Sequence, residues 1–101
     1  MSAYRTTGEA DEDLIAIFIQ GHDLFGARQA DRYLDELHAL FQRLAEHPAM
    51  TWLRTDYDPP VRIYAYRSHM VVYEEAPEGI VILRVRHGHE DWWSDPRSGP
   101  A

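Results

Sequence analysis

The segments His69-Met-Val-Val-Tyr73, Glu74-Glu-Ala-Pro-Glu-Gly79, Ile80-Val-Ile-Leu-Arg-Val-Arg-His87 and Gly88-His-Glu-Asp-Trp92 run consecutively, and together they specify the heart of the fold. Two apolar runs flank residues 76–79, with proline second and glycine fourth, which is β-turn chemistry. A β-hairpin is predicted, its first strand over residues 70–73. In the second strand, alternation points Val81, Leu83 and Val85 to one side and Ile82, Arg84 and Arg86 to the other. The strand then switches to Arg84, Arg86, His87, His89, Asp91 and Trp92. A strand ending in clustered polar and aromatic groups presents them to something.

Upstream, Val61, Ile63 and Ala65 alternate with Arg62, Tyr64 and Tyr66, the period of another strand. Residues 66–69 turn the chain between the two. Residues 49–60 read as a loop, because Pro59-Pro60 forbids regular hydrogen bonding. Before it the period lengthens. Ala30, Tyr33, Leu34, Leu37, Leu40, Phe41 and Leu44 recur at steps of three and four, an amphipathic helix closed at His47 by Pro48. An earlier helix spans residues 9–25, with Ala10, Leu14, Ile17, Phe18 and Gly21 on one face. Ile15 and Ile19 widen that stripe, as if the helix were covered on more than one side. Thr6 and Glu9 have capping-box spacing, and Glu9, Asp11, Glu12 and Asp13 suit the positive end of the helix dipole. Gly26 separates the helices, and a short link makes them an antiparallel hairpin. Tyr4-Arg-Thr6 is a further short strand. The expected class is α+β: an N-terminal helical hairpin on one face of a small twisted antiparallel sheet, the other face carrying arginines and tyrosines.

The 101 residues suffice for one domain, residues 1–93, with a loose tail over 94–101. The apolar share of 45% suits a packed core. Without cysteine there is no disulfide and no thiolate metal site, and a cytoplasmic setting is expected. The start is not followed by a leader-type apolar stretch, and the longest apolar run, 14–19, is too short to span a bilayer. A net charge of −7 disfavours direct nucleic-acid binding. All ten basic residues are arginine, consistent with a GC-rich coding bias.

In order and spacing, Ala30-Asp-Arg-Tyr-Leu34 with Leu37, Phe41 and Leu44-Ala-Glu-His-Pro48, then Val61-Arg62, Ser68-His-Met-Val-Val-Tyr73, Ile82-Leu-Arg-Val-Arg-His87 and Asp91-Trp92 resemble the ParE toxins of the RelE/ParE superfamily of bacterial type II toxin–antitoxin systems. The resemblance runs from about Tyr4 to Trp92. It implies a helical hairpin on a twisted sheet, a small cognate antitoxin that wraps the toxin, and poisoning of DNA gyrase. Two positions depart from the family pattern: Arg67 precedes the Ser-His pair where glycine is common, and Trp52-Leu53-Arg54 replaces a Gly-Arg step.

The polar end admits other chemistry. His87 and His89 lie on one side of an extended strand and, with Asp91, have the donor types of a metal site. A fourth ligand is not evident, and a hydrogen-bonded strand end is the simpler reading, so neither metal nor cofactor is expected. The sister RelE branch cleaves messenger RNA on the ribosome. For that reaction His87 or His89 supply acid and base, and Arg84 or Arg86 the cation for phosphate. The acidic surface argues against it, and a structural ion pair is the plain alternative for Arg84. Trp92 and Trp93 serve either as a core cap or as binding anchors. No Ser/His/Asp triad, phosphate loop or dinucleotide fingerprint is present. The target surface is therefore placed at Arg84, Arg86, His87, His89, Trp92 and Trp93, and the antitoxin surface at Ile15, Ile19, Arg62 and Tyr64.

Overall fold

The two periodicities separate into two layers in the computed structural model, which describes residues 3–88 and 93–98. The elements are β1 (Ala3–Thr6), α1 (Gly8–Phe25), α2 (Ala27–Glu46), a single 3-10 turn (Pro48–Met50), β2 (Leu53–Arg54), β3 (Val61–Tyr66), β4 (His69–Ala76) and β5 (Gly79–His87). The strands form one sheet in the order β1-β5-β4-β3-β2, and the helical hairpin packs on one side of it. The α+β architecture is the expected one. Within it β1 runs parallel to β5, so the sheet is mixed. These two strands come from opposite ends of the chain, so no hairpin turn dictates their relative direction.

Thr7 rather than Thr6 caps α1. Its hydroxyl accepts the Ala10 amide at 3.0 Å and donates to the Leu83 carbonyl at 2.8 Å. Thr6 is still in β1, opposite Ile82, which moves the cap one residue along. Gly26 joins the helices at φ +92°, a conformation that costs glycine little. The stripe on α2 is realised: Ala30, Leu37, Leu40, Phe41 and Leu44 are all buried. They meet Val71, Tyr73, Ile80, Ile82 and Val85 from the sheet.

The facing of β5 departs from simple alternation. Tyr73 lies opposite Ile82 and Val72 opposite Arg84, so Leu83 is an extra residue, a β-bulge. Ile80 and Ile82 therefore point to the helices, and after the bulge Val85 does too. Arg84 and Arg86 face away as expected; Val81 and Leu83 do not join the helix-side core, and Ile82 does. The tyrosines also change sides. Arg62, Tyr64 and Tyr66 lie opposite Tyr73, Val71 and His69, sharing the helix side with them. Tyr66 donates to Glu36 of α2 at 2.8 Å, and Tyr73 to the Pro48 carbonyl at 2.8 Å. Tyrosine spans both environments, its ring packing in the core while its hydroxyl finds a polar partner, so polarity alone did not assign its side.

Candidate functional site

The polar end of β5 is built by its edge. β1 stops at Thr6, leaving β5 beyond Ile82 without a strand on that side. The Thr7 amide donates to the Ile82 carbonyl at 3.0 Å, and the Asp13 carboxylate accepts the Val85 amide at 2.9 Å. Asp13 also takes a bidentate pair from Arg84, Nε at 2.7 Å and Nη2 at 2.9 Å. Both residues are only 2% exposed. Arg84 Nη1 donates to the Arg97 carbonyl at 3.3 Å, and Arg86 Nη1 to the Pro96 and Ser98 carbonyls at 3.3 and 2.5 Å. Pro96 is fully buried. The expectation of Arg84 and Arg86 as presented cations is thus corrected: both are buried and bind the chain's own carboxylate and carbonyls, and for Arg84 the structural ion pair named as the alternative is the one found. Over residues 94–98, part of the segment expected to be a loose tail, the backbone supplies those carbonyls.

His87 turns the other way, to the helix side. Its ring meets His69 edge-on with centroids 5.4 Å apart. Tyr33 Oη lies 2.6 Å from His69 Nδ1, and its ring stacks on Tyr66 at 6.1 Å. Glu36 receives Tyr66 and pairs with Arg67 at 3.1 Å. Tyr33, Glu36, Arg67, His69 and His87 line a groove of about 530 Å³ between the end of α1, the start of α2 and the β3–β4 turn, with Ile17 and Leu24 as apolar wall. Burial pushes the Tyr33 phenol above its ordinary value. Ser68, also in the wall, has its hydroxyl 3.5 Å from His69 Nδ1.

At the opposite edge, Trp93 joins an aromatic cluster. The Arg54 guanidinium sits 5.0 Å from the Trp52 ring, 5.2 Å from Tyr57 and 5.7 Å from Trp93. Asp56 holds it in bidentate fashion at 3.1 and 2.9 Å and raises its pKa. The Tyr57 hydroxyl donates to the Trp93 carbonyl at 2.5 Å. Trp52 is 68% exposed.

Of the expected antitoxin residues, Ile15 and Ile19 are 60% and 55% exposed on α1. Arg62 is tied to Glu75 at 3.0 Å and to the Thr51 carbonyl at 2.6 Å, and Tyr64 packs half-buried against the core. His89, Asp91 and Trp92 lie outside the described residues, and with them most of the candidate metal set. Among the described residues the expected ones lie apart: Ile15 and Ile19 on α1, His87 in the groove, Trp93 at the Arg54 cluster, Arg62 and Tyr64 on β3, and Arg84 and Arg86 buried. Sequence reasoning missed Tyr33, His69, Trp52, Arg54 and Tyr57. The signal for the first two was their place in the Ser68-His69 and Ala30-to-Leu34 patterns. For the others it was the unusual Trp52-Leu53-Arg54 step.

Among the described residues no helix is long and apolar enough to cross a membrane. Residues 4–92 match the family model described as the ParE toxin of the type II toxin–antitoxin system, parDE. The chain is 33% identical over 87 residues to Toxin ParE1 of Caulobacter vibrioides, covering 86% of this chain and 90% of that protein. A solved structure of the chromosomal ParDE TA system from P. aeruginosa shares the fold, with a TM-score of 0.73 at 21% identity over 86% of this chain and 96% of that one. With its fold, its helix stripe and its strand pattern in that order, the chain belongs to the ParE toxin family of type II toxin–antitoxin systems.

Proposed function

We propose that this protein acts in the cytoplasm as a toxin that poisons DNA gyrase by contact, and that a cognate antitoxin, encoded alongside, neutralises it. One observation carries the reading: the arginines at the end of β5 are engaged inside the fold, while large apolar and aromatic side chains stand on the surface. A surface of that kind suits protein contact better than phosphate handling. The target contact is assigned to the end of β5 and the residues beyond it. His87, His89, Trp92 and Trp93 remain its members, Trp93 extended by Trp52, Arg54 and Tyr57. Arg84 and Arg86 act there as positioning residues, holding residues 96–98. The antitoxin contact is assigned to α1 through Ile15 and Ile19, and on the sheet to Arg62 and Tyr64 of β3.

A second reading, ribosome-dependent RNA cleavage, has the Tyr33-His69-His87 groove in its favour, with Arg67 in the wall. Purified protein in a gyrase supercoiling assay, beside a translation assay with transcript mapping, separates the two. Lost supercoiling with intact transcripts is the expected result. Cut transcripts at normal supercoiling would replace the gyrase reading with the nuclease one.

A further inference from the structure

α1 carries two apolar faces. Ala10, Leu14, Ile17 and Gly21 face α2 and the sheet. Ile15, Phe18, Ile19 and Phe25 lie on another, with His22 interrupting them beside Asp23, and Ile15, Ile19 and Phe25 are 60%, 55% and 64% exposed. A helix apolar on two sides is ordinarily covered on both. From Ile15 to Phe25 the second stripe is about 15 Å long, three turns of helix.

The charge around it is one-sided. α1 contains Glu9, Asp11, Glu12, Asp13 and Asp23 and not one lysine or arginine. Asp13 is buried under Arg84, but Asp11 and Glu12 stand exposed one turn before Ile15, and Asp23 one turn after Ile19. Nine of the seventeen carboxylates lie in the helical hairpin against three of the ten arginines, so this layer holds most of the net −7. A second copy of the chain would bring acid against acid. An acidic partner would do the same.

We infer that the exposed stripe of α1 docks a basic amphipathic helix of about three turns, whose aliphatic seam covers Ile15 and Ile19 and whose lysines or arginines meet Glu12 and Asp23. The inference rests on the antitoxin reading above and specifies it: the toxin-binding segment of the antitoxin is basic. Charge on the rim sets the association rate and its salt dependence, and the apolar seam sets residence time.

The probe is the purified small protein encoded next to this chain, titrated against the intact toxin at several salt concentrations. The wild-type association rate should fall steeply as salt rises. Glu12→Gln with Asp23→Asn should slow association about tenfold at low salt and converge on wild type near about 0.5 M, where screening is short-ranged. Ile15→Ala with Ile19→Ala should speed dissociation and leave the salt slope unchanged. All four positions are exposed, so unchanged melting curves verify the fold. If the neighbouring protein binds with a flat salt response, or the charge variants associate as fast as wild type, the basic-helix assignment is wrong while the antitoxin reading stands. If it does not bind at all, both fall. A toxin dimer that the isoleucine changes dissociate would give the stripe to a second copy instead.

Discussion

At the scale of single residues, Asp13 carries the largest share of local consequence. It accepts an amide from β5 and two bonds from Arg84 in a nearly dry setting. Breaking such a pair from one side leaves a buried charge uncompensated. Asp13→Ala should therefore cost about 3–5 kcal/mol in urea unfolding, and adding Arg84→Met should recover much of it. Tyr73 makes a pH prediction. Burial holds its phenol up to about 12, above the ordinary 10.0. Between those values the unfolded chain has released a proton that the folded chain still holds. Stability is then fully present below about pH 10 and falls as pH rises toward 12. Tyr73→Phe should flatten that part of the alkaline unfolding profile, despite losing the bond to Pro48. An unchanged slope would assign the alkaline loss to Tyr4 and Tyr33, whose phenols are also raised by burial.

At the scale of elements, β1 depends on a glycine in its neighbour. Gly79 sits opposite Ala3 at φ +150°, and a Cβ there would come 1.9 Å from the Ala3 carbonyl oxygen. Gly79→Ala should displace β1, costing at least about 1–3 kcal/mol from backbone strain. Amide exchange is the measurement, with protection lost at Tyr4 and Arg5 before the β4–β5 hairpin. Protection retained in β1 would show that the turn relaxes instead. The elements also show how far periodicity reaches. The α2 stripe was legible because its spacing survives unbroken from Ala30 to Leu44. The facing of β5 was legible on only one side of Leu83, because a bulge leaves no mark in an alternating apolar run and reverses every facing across it.

At the scale of the molecule, Ile15 and Ile19 of the proposed antitoxin contact lie on α1 and the Trp52, Arg54, Tyr57 and Trp93 cluster of the proposed target contact lies at the β2 edge, so these two surfaces should be separable by mutation. Trp52→Ala removes an exposed ring from the Arg54 cluster without touching the core. It should weaken gyrase inhibition about tenfold or more, as truncation of an aromatic anchor does, while antitoxin affinity and melting temperature stay near wild type. Inhibition at the wild-type level would move the target contact away from that cluster.

The two layers are written in the chain itself: a seven-residue stripe makes a core helix, alternating runs make strands, and Ala76-Pro-Glu-Gly79 makes the turn between β4 and β5. Family membership was legible too, since it rests on those same patterns in order. The site was not. Whether Arg84 meets a target or Asp13 depends on a carboxylate 71 positions away in the chain, and Trp93 joins the local Trp52, Arg54 and Tyr57 group from 36 positions beyond Tyr57. Local spacing governs which backbone hydrogen bonds form. Packing in three dimensions governs which charges find partners inside and which aromatic groups are left for another molecule.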